Sequence, residues 1–287
     1  MPAALPYPFT PKTLVIDGQR MSYLDEGQGP AIVMVHGNPT WSFFYRRLVL
    51  ALRDRFRVIV PDHIGCGLSD KPQDYPYTLA RHTENLTRLI ERLDLGRVSL
   101  VVHDWGGAIG LGFAGQRPEM IRSLLILNTA AFPAARLPWS IALCRLPGLG
   151  ALLVRGLNLF SLGAIHLAAQ RKLPAPVARG FLLPYDSWRN RVAVHAFVRD
   201  IPRHPGHPSW PVLCEVERNL ARLVHLPMLI LWGGKDFCFN DYFYHEWCRR
   251  FPQARRRYFP AAGHYLLEDA GAEIEPLARE CFLEHGG

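Results

Sequence analysis

Hydrophobic and polar positions along the chain fall into short apolar runs separated by stretches of helical spacing. Residues 13–25 predict two short strands. The uninterrupted run Ala31-Ile32-Val33-Met34-Val35 predicts a strand buried on both faces, ending at His36-Gly37. A helix is expected from near Trp41, then a strand over residues 57–60, closed by Pro61-Asp62 and the turn Gly65-Cys66-Gly67. Leu79, Leu86, Leu89, Ile90 and Leu93 then recur at helical spacing. Residues 98–102 form another apolar run, and Gly106, Gly107, Ala108 and Gly110 open a helical pattern reaching Arg117. Residues 123–127 and 228–232 supply two further strands, Tyr258 and Phe259 fall in a last one, and residues 274–282 predict a C-terminal helix. Such alternation predicts an α/β fold, a mostly parallel doubly wound sheet with helices on both faces.

The alternation stops between residues 131 and 222, where leucine, alanine, tryptophan and proline keep helical but not strand-like spacing. This predicts a helical cap, residues 131–222, inserted into a core of residues 1–130 and 223–287. The leucines 152, 153, 157, 159 and 162 either select long alkyl chains by burial or pack the cap on the core. Residues 137–169 come nearest to a membrane span, but Arg145, Pro147, Arg155 and several glycines interrupt them, so no integral membrane segment is expected.

Length and composition fit one large domain: 287 residues, 49% hydrophobic and 20% charged. The net charge of +8 comes mostly from scattered arginines, densest at Arg249, Arg250, Arg255, Arg256 and Arg257. No aromatic interleaving accompanies them, so a solvated basic face is expected rather than a nucleic-acid partner, with an anionic membrane surface as a minor option. Six cysteines show no CxxC pair or metal spacing, and His204 with His207 lack a third ligand; no metal or cofactor is expected. The opening residues lack a signal-peptide pattern, which places the chain in the cytoplasm.

The chemistry centres on Val102-His103-Asp104-Trp105-Gly106-Gly107, where a buried strand meets a turn of small residues and a helix. That is the setting of a nucleophile elbow, with Asp104 in place of the usual serine and Val102 in place of the first glycine. An aspartate is already ionised at neutral pH and can displace a leaving group from carbon without a base. Capping of the following helix is the structural alternative for Asp104. After the earlier strand, Asn38 in His36-Gly37-Asn38-Pro39 is placed so that its backbone N–H and that of Trp105 flank one point. The Asn38 amide and the Trp105 indole N–H can hold a departing anion. His264 follows the last strand as the candidate base, and Asp236 in Gly233-Gly234-Lys235-Asp236 is the acid that orients it. Glu268 and Asp269 lie too close behind His264 for that role, and His103 is expected to pack against the elbow.

These residues resemble the haloalkane dehalogenase family of α/β-hydrolases: His36 to Trp41, Pro61-Asp62 with Gly65 to Pro72, His103 to Gly107, and Gly263-His264. The resemblance covers most of the chain outside the cap. It implies Asp104 as nucleophile, His264 as base, and Asn38 with Trp105 as the anion-holding pair. Some members carry the triad acid just after the strand preceding the cap; this chain has Asn128 there, which leaves Asp236. Epoxide hydrolases share the Asp elbow but use two cap tyrosines, whereas this cap has only Tyr185.

Within that group, residues 232–240, the loop from Ile201-Pro202 to His207-Pro208 and residues 263–269 are most similar to the β-lactone decarboxylases of bacterial long-chain olefin biosynthesis. That similarity implies a lyase acting on a small apolar substrate, cis-3,4-dialkyl-oxetan-2-ones, and releasing cis-alkenes and carbon dioxide. It also implies partner enzymes such as a β-lactone synthetase. Asp104 would attack the alkyl carbon of the lactone C–O bond, with attack at the carbonyl as the alternative route. The second reading is a dehalogenase using the same residues. A binding protein on a degenerate hydrolase fold is the third, and it would keep its partner after Asp104→Ala.

Overall fold

The computed structural model describes residues 5–285; residues 1–4, part of the opening read as lacking a signal peptide, lie outside them. Eight strands form one sheet: β1 (Lys12–Ile16), β2 (Gln19–Glu26), β3 (Ala31–Val35), β4 (Arg57–Pro61), β5 (Val98–Asp104), β6 (Ile121–Thr129), β7 (Met228–Gly233) and β8 (Arg255–Phe259). Their order is β1-β2-β4-β3-β5-β6-β7-β8. β1 and β2 are antiparallel to their neighbours, and every pairing from β4 to β8 is parallel. The order reverses at β3 and β5, so the crevice where parallel α/β sheets place their sites opens at the C-terminal ends of these strands.

The helices of the first half are α1 (Arg46–Leu52), α2 (Leu79–Arg92) and α3 (Trp105–Gln116). Between β6 and β7 the described residues hold no strand. They form α4 (Trp139–Leu143), α5 (Leu149–Ala151), α6 (Leu159–Leu167), α7 (Ala175–Leu182), α8 (Val192–Arg199) and α9 (Trp210–Asn219). A π-helical turn, Leu152–Gly156, links α5 to α6. The last helices are α10 (Asp241–Arg250), α11 (Leu266–Asp269) and α12 (Gly271–His285). α9 packs on α2 and α3, so it belongs to a layer that covers the sheet, while α8 contacts the π-helical turn.

Strand alternation divides the core. Leu100 and Val102 of β5 face one cluster with Leu86, Ile109 and Trp247, and Val101 faces a second with Leu48, Ile274 and Phe282. β8 begins with three arginines, a pattern that hides a strand from hydropathy but suits a sheet edge. The basic cluster there is largely paired: Arg249 with Glu246, Arg250 with Glu217, and Arg255 with Glu280 and Glu284. All six cysteines are free thiols. No single helix among the described residues is long and apolar enough to cross a membrane.

Two polar ties position the loops at the sheet crest. The Asp62 carboxylate accepts from the backbone N–H of Ser42 (2.7 Å) and of Leu68 (2.9 Å), which joins the loops after β3 and β4. Asn128 donates from Nδ2 to the Gly233 carbonyl (3.0 Å) and accepts from the Gly233 N–H at 2.8 Å. The backbone pairing of β6 with β7 runs to Ile126 and Ile230, so the Asn128 side chain continues the ladder where the strands begin to diverge. Asn128→Ala removes the acceptor of the buried Gly233 N–H and leaves its carbonyl only the long 3.4 Å bond from the Asp236 N–H, and is expected to cost about 1–3 kcal/mol. Urea unfolding checks this as a lowered midpoint at unchanged slope; an unmoved midpoint contradicts the tie.

Candidate active site

β5 runs fully buried to Asp104, and α3 begins at the next residue. The turn puts Asp104 at φ +52° and ψ −127°, a conformation that L side chains rarely adopt. Its tightness depends on missing side chains. A Cβ on Gly106 would lie 1.9 Å from the Val35 carbonyl oxygen, and one on Gly107 would lie 1.9 Å from Thr129 Oγ1. Thr129 Oγ1 in turn donates to the Asp104 carbonyl. Val102, where a hydrolase elbow has its first glycine, is accommodated from the helix side: a Cβ on Gly110 would meet Val102 Cγ1 at 2.6 Å.

The Asp104 carboxylate points back over the crest of the sheet. Its Oδ1 accepts from the Asn38 backbone N–H at 2.6 Å, and the Trp105 N–H also bonds the carboxylate. The point flanked by these two N–H groups therefore holds the carboxylate itself. Gly37 leaves the room, since a Cβ there would lie 1.9 Å from Oδ1. Burial pushes the Asp104 carboxyl above its ordinary value; His264 and the two backbone donors counter that rise, and Asp236 adds to it.

His264 Nε2 lies 3.8 Å from Asp104 Oδ2, and its Nδ1–H donates to Asp236 Oδ2 at 2.7 Å. Asp236 is fixed by two backbone donors to its other oxygen, from Cys238 (2.7 Å) and Phe239 (3.0 Å). Burial works against the imidazolium, but the charge and hydrogen bond of Asp236, followed by Asp104, outweigh it and raise the His264 pKa above 6.5. The structure thus brings Asp104, His264, Asp236, Asn38 and Trp105 to one place.

His103, expected to pack against the elbow, also supports His264, and Glu268 and Asp269 take roles that the sequence does not assign. His103 hydrogen-bonds through Nε2 to the His264 carbonyl (2.9 Å), with its ring stacked on Phe44. Glu268 forms a buried two-pronged pair with Arg46 of α1, at 2.6 and 2.9 Å. Asp269 accepts from the N–H groups of Gly263, Gln170 and Arg171, tying the histidine loop to the segment after α6. Only the count of nearby carboxylates signalled this in the sequence, because the partners of Asp269 on that segment lie almost a hundred residues away.

Asn38 Nδ2 donates one hydrogen to the Val194 carbonyl at 3.1 Å, which leaves its second hydrogen uncommitted, and the buried Oδ1 has no partner. The Trp105 indole sits against Phe197 with ring centroids 5.3 Å apart. Tyr185 is buried away from the cavity, donating to the Thr40 carbonyl at 3.2 Å. His204 and His207 hold their rings 6.3 Å apart, with His207 bonded to the Arg199 carbonyl. Among the described residues no group of three His, Cys, Asp or Glu side chains could hold a metal.

Asp104, Asn38, Trp105 and His264 meet at one side of a cavity of about 450 Å³, walled chiefly by apolar side chains such as Leu153, Leu159, Phe160, Leu213 and Phe243. A carboxylate oxygen facing such a cavity, with an uncommitted amide hydrogen beside it, can displace a leaving group from an apolar carbon chain.

The sequence model of the α/β hydrolase fold family matches residues 30–271. The chain is 44% identical to the cis-3-alkyl-4-alkyloxetan-2-one decarboxylase of Xanthomonas campestris pv. campestris, over 97% of each chain. It is also 44% identical to the protein of that name from Shewanella oneidensis, over 93% of this chain and 86% of the other. Haloalkane dehalogenase 2 of Mycobacterium tuberculosis is 32% identical over 96% of each. Among solved structures, a haloalkane dehalogenase from Bradyrhizobium elkani superposes with a TM-score of 0.89 at 24% identity, covering 96% of this chain and 98% of that one. The chain therefore belongs to the α/β-hydrolase fold family, in the group of the cis-3-alkyl-4-alkyloxetan-2-one decarboxylases.

Proposed function

We propose that this chain is a β-lactone decarboxylase that converts cis-3,4-dialkyl-oxetan-2-ones to cis-alkenes and carbon dioxide, with Asp104 as nucleophile. One observation carries the reading: an aspartate at the elbow opens onto an apolar cavity, in a chain 44% identical over nearly its full length to two enzymes named for that substrate. The dehalogenase reading uses the same residues, but relatives of that name are more distant, at 32% for the one from Mycobacterium tuberculosis.

Asp104 Oδ2 forms a bond to the ring carbon that carries the lactone oxygen, and the C–O bond breaks with inversion. The freed carboxylate stays on the neighbouring carbon, where the second Asn38 amide hydrogen and the Trp105 indole N–H hold it. The C–CO₂ bond then supplies the electron pair of the alkene, the Asp104 ester bond breaks, and carbon dioxide leaves. Inversion followed by anti elimination preserves cis geometry. The sequence regenerates the Asp104 carboxylate and consumes neither water nor a proton. His264, held by Asp236, orients and balances the nucleophile; hydrolysis of an alkyl ester would instead require it to take a proton from water.

The reaction places the chain in long-chain olefin biosynthesis and lipid metabolism, beside a β-lactone-forming synthetase that supplies a sparingly soluble substrate, in the cytoplasm. In this reading residues 131–222 are the insertion into a hydrolase core: α9 packs back on the core layer, and the rest is the cap whose inner wall receives the alkyl chains.

Purified protein given a synthetic cis-dialkyl β-lactone is expected to release alkene, measured by gas chromatography. Halide release from 1-iodobutane without any alkene from the lactone rejects the proposal. Trp105→Phe, which removes the indole N–H together with part of the bicyclic ring, and Asn38→Ala are each expected to lower kcat by about 10²-fold. Unchanged kcat in both removes the anion-holding assignment.

The two reactions also differ in their acid limbs. Lactone opening needs Asp104 ionised, so it fails as pH falls through a pKa raised above 3.8. Ester hydrolysis additionally needs neutral His264, whose pKa is raised above 6.5, so halide turnover depends on a second ionisation that lactone opening does not need. The acid limb of any halide turnover is therefore expected to be governed by two ionisations and that of lactone turnover by one; acid limbs of the same slope in the two pH–rate profiles contradict this division of labour.

A further inference from the structure

The cap leucines are not all turned inward. Leu153 and Leu159 reach the cavity wall, but Leu152 and Leu157 stand 53% and 54% exposed, and Leu162 is exposed as well. The cause is local backbone. The π-helical turn Leu152–Gly156 and the left-handed residue Asn158 break the 3.6-residue period, so leucines spaced for one helix face are rotated onto two. Nine of the eighteen large apolar side chains that stand exposed in the described molecule fall within residues 139–167, with Trp139 at 77%. Of the elements carrying them, α5 and α6 each pack on the π-helical turn. Exposed apolar surface of this extent marks an interaction site.

We propose that this outward face of the cap docks on an anionic lipid bilayer. Charge identifies the occupant. From Trp139 to Tyr185 the chain has no Asp or Glu, yet it carries Arg145, Arg155, Arg171 and Lys172. Arg155 spends its hydrogen bonds on the Trp188 carbonyl and the neutral Gln73 amide, so no carboxylate cancels its charge, and Arg171 and Lys172 are exposed, whereas Arg145 feels the Asp200 carboxylate. An apolar face rimmed by unopposed cations is the pattern of a segment lying in the plane of a membrane interface. The two apolar limbs, Leu149–Gly156 and Leu159–Leu167, bend by 65° against each other, which suits lying on a bilayer rather than crossing it. The cavity is continuous with the face: Trp139, Leu143, Leu159 and Leu167 are both exposed and part of its wall. An apolar substrate dissolved in the bilayer then reaches Asp104 without passing through water. Docking rests on the surface alone, and only this delivery role rests on the proposed reaction.

Flotation with vesicles of phosphatidylcholine plus phosphatidylglycerol, against phosphatidylcholine alone, tests the proposal without any turnover. The protein is expected to float with the anionic vesicles, less at raised salt. The loss is expected to be about tenfold or more in Leu152→Glu/Leu157→Glu, and a loss is also expected in Arg171→Glu/Lys172→Glu. These side chains lie outside the cavity wall, so circular dichroism and turnover of a soluble short-chain lactone should match wild type. No flotation, equal flotation on both vesicle compositions, flotation unaltered by either double variant, or a leucine-dependent dimer or protein complex in place of flotation overturns it.

Discussion

Asp104 sits at φ +52° and ψ −127° at the end of a fully buried strand, a conformation that costs a non-glycine residue about 1–3 kcal/mol and persists only where its neighbours leave no alternative. Those neighbours are visible one by one. Gly106 and Gly107 let α3 approach the Val35 carbonyl and Thr129, Thr129 holds the Asp104 carbonyl, and Gly37 clears the space that the carboxylate fills. The Asn38 and Trp105 N–H groups then bond the carboxylate, so the strained turn and the ionised side chain stabilise each other. Everything else at the site is arranged around that fixed oxygen. Asp236 turns His264 toward it, and His103, the Arg46–Glu268 pair and Asp269 hold the histidine loop at its 3.8 Å separation.

The sheet and the five clustered residues were legible because each rests on local pattern or chain order. β3 and β5 are continuous apolar runs ending in small residues, and Asp104, Asp236 and His264 each follow a strand in hydrolase order. The less legible features depend on partners distant in sequence or on broken periodicity. Glu268 and Asp269 read as spare carboxylates, yet one meets Arg46, 222 residues away, and the other bonds backbone at Gln170 and Arg171. Asn128 read as a missing acid, whereas it is the tie that carries the β6–β7 ladder to Gly233. Three arginines concealed most of β8, and the π-helical turn concealed which cap leucines face out.

The cavity separates two kinds of work. Its polar corner carries a carboxylate, an amide with one uncommitted hydrogen and an imidazole, while the remaining wall is chiefly apolar and provides burial without orientation. A strained lactone suits that division, because it brings its own leaving group and releases a neutral gas. Water is then a competitor rather than a reactant in the proposed route. The same wall continues to exposed leucines within residues 139–167, so the inner and outer surfaces of that segment have one composition.

The account stands on Asp104 as the group that bonds to substrate carbon. The most direct measurement is the rate of alkene formation from a cis-dialkyl β-lactone by Asp104→Ala, alongside a thermal unfolding curve that shows the variant folded. The account predicts loss of alkene to the uncatalysed level. Alkene formed at the wild-type rate by a folded Asp104→Ala protein would contradict it.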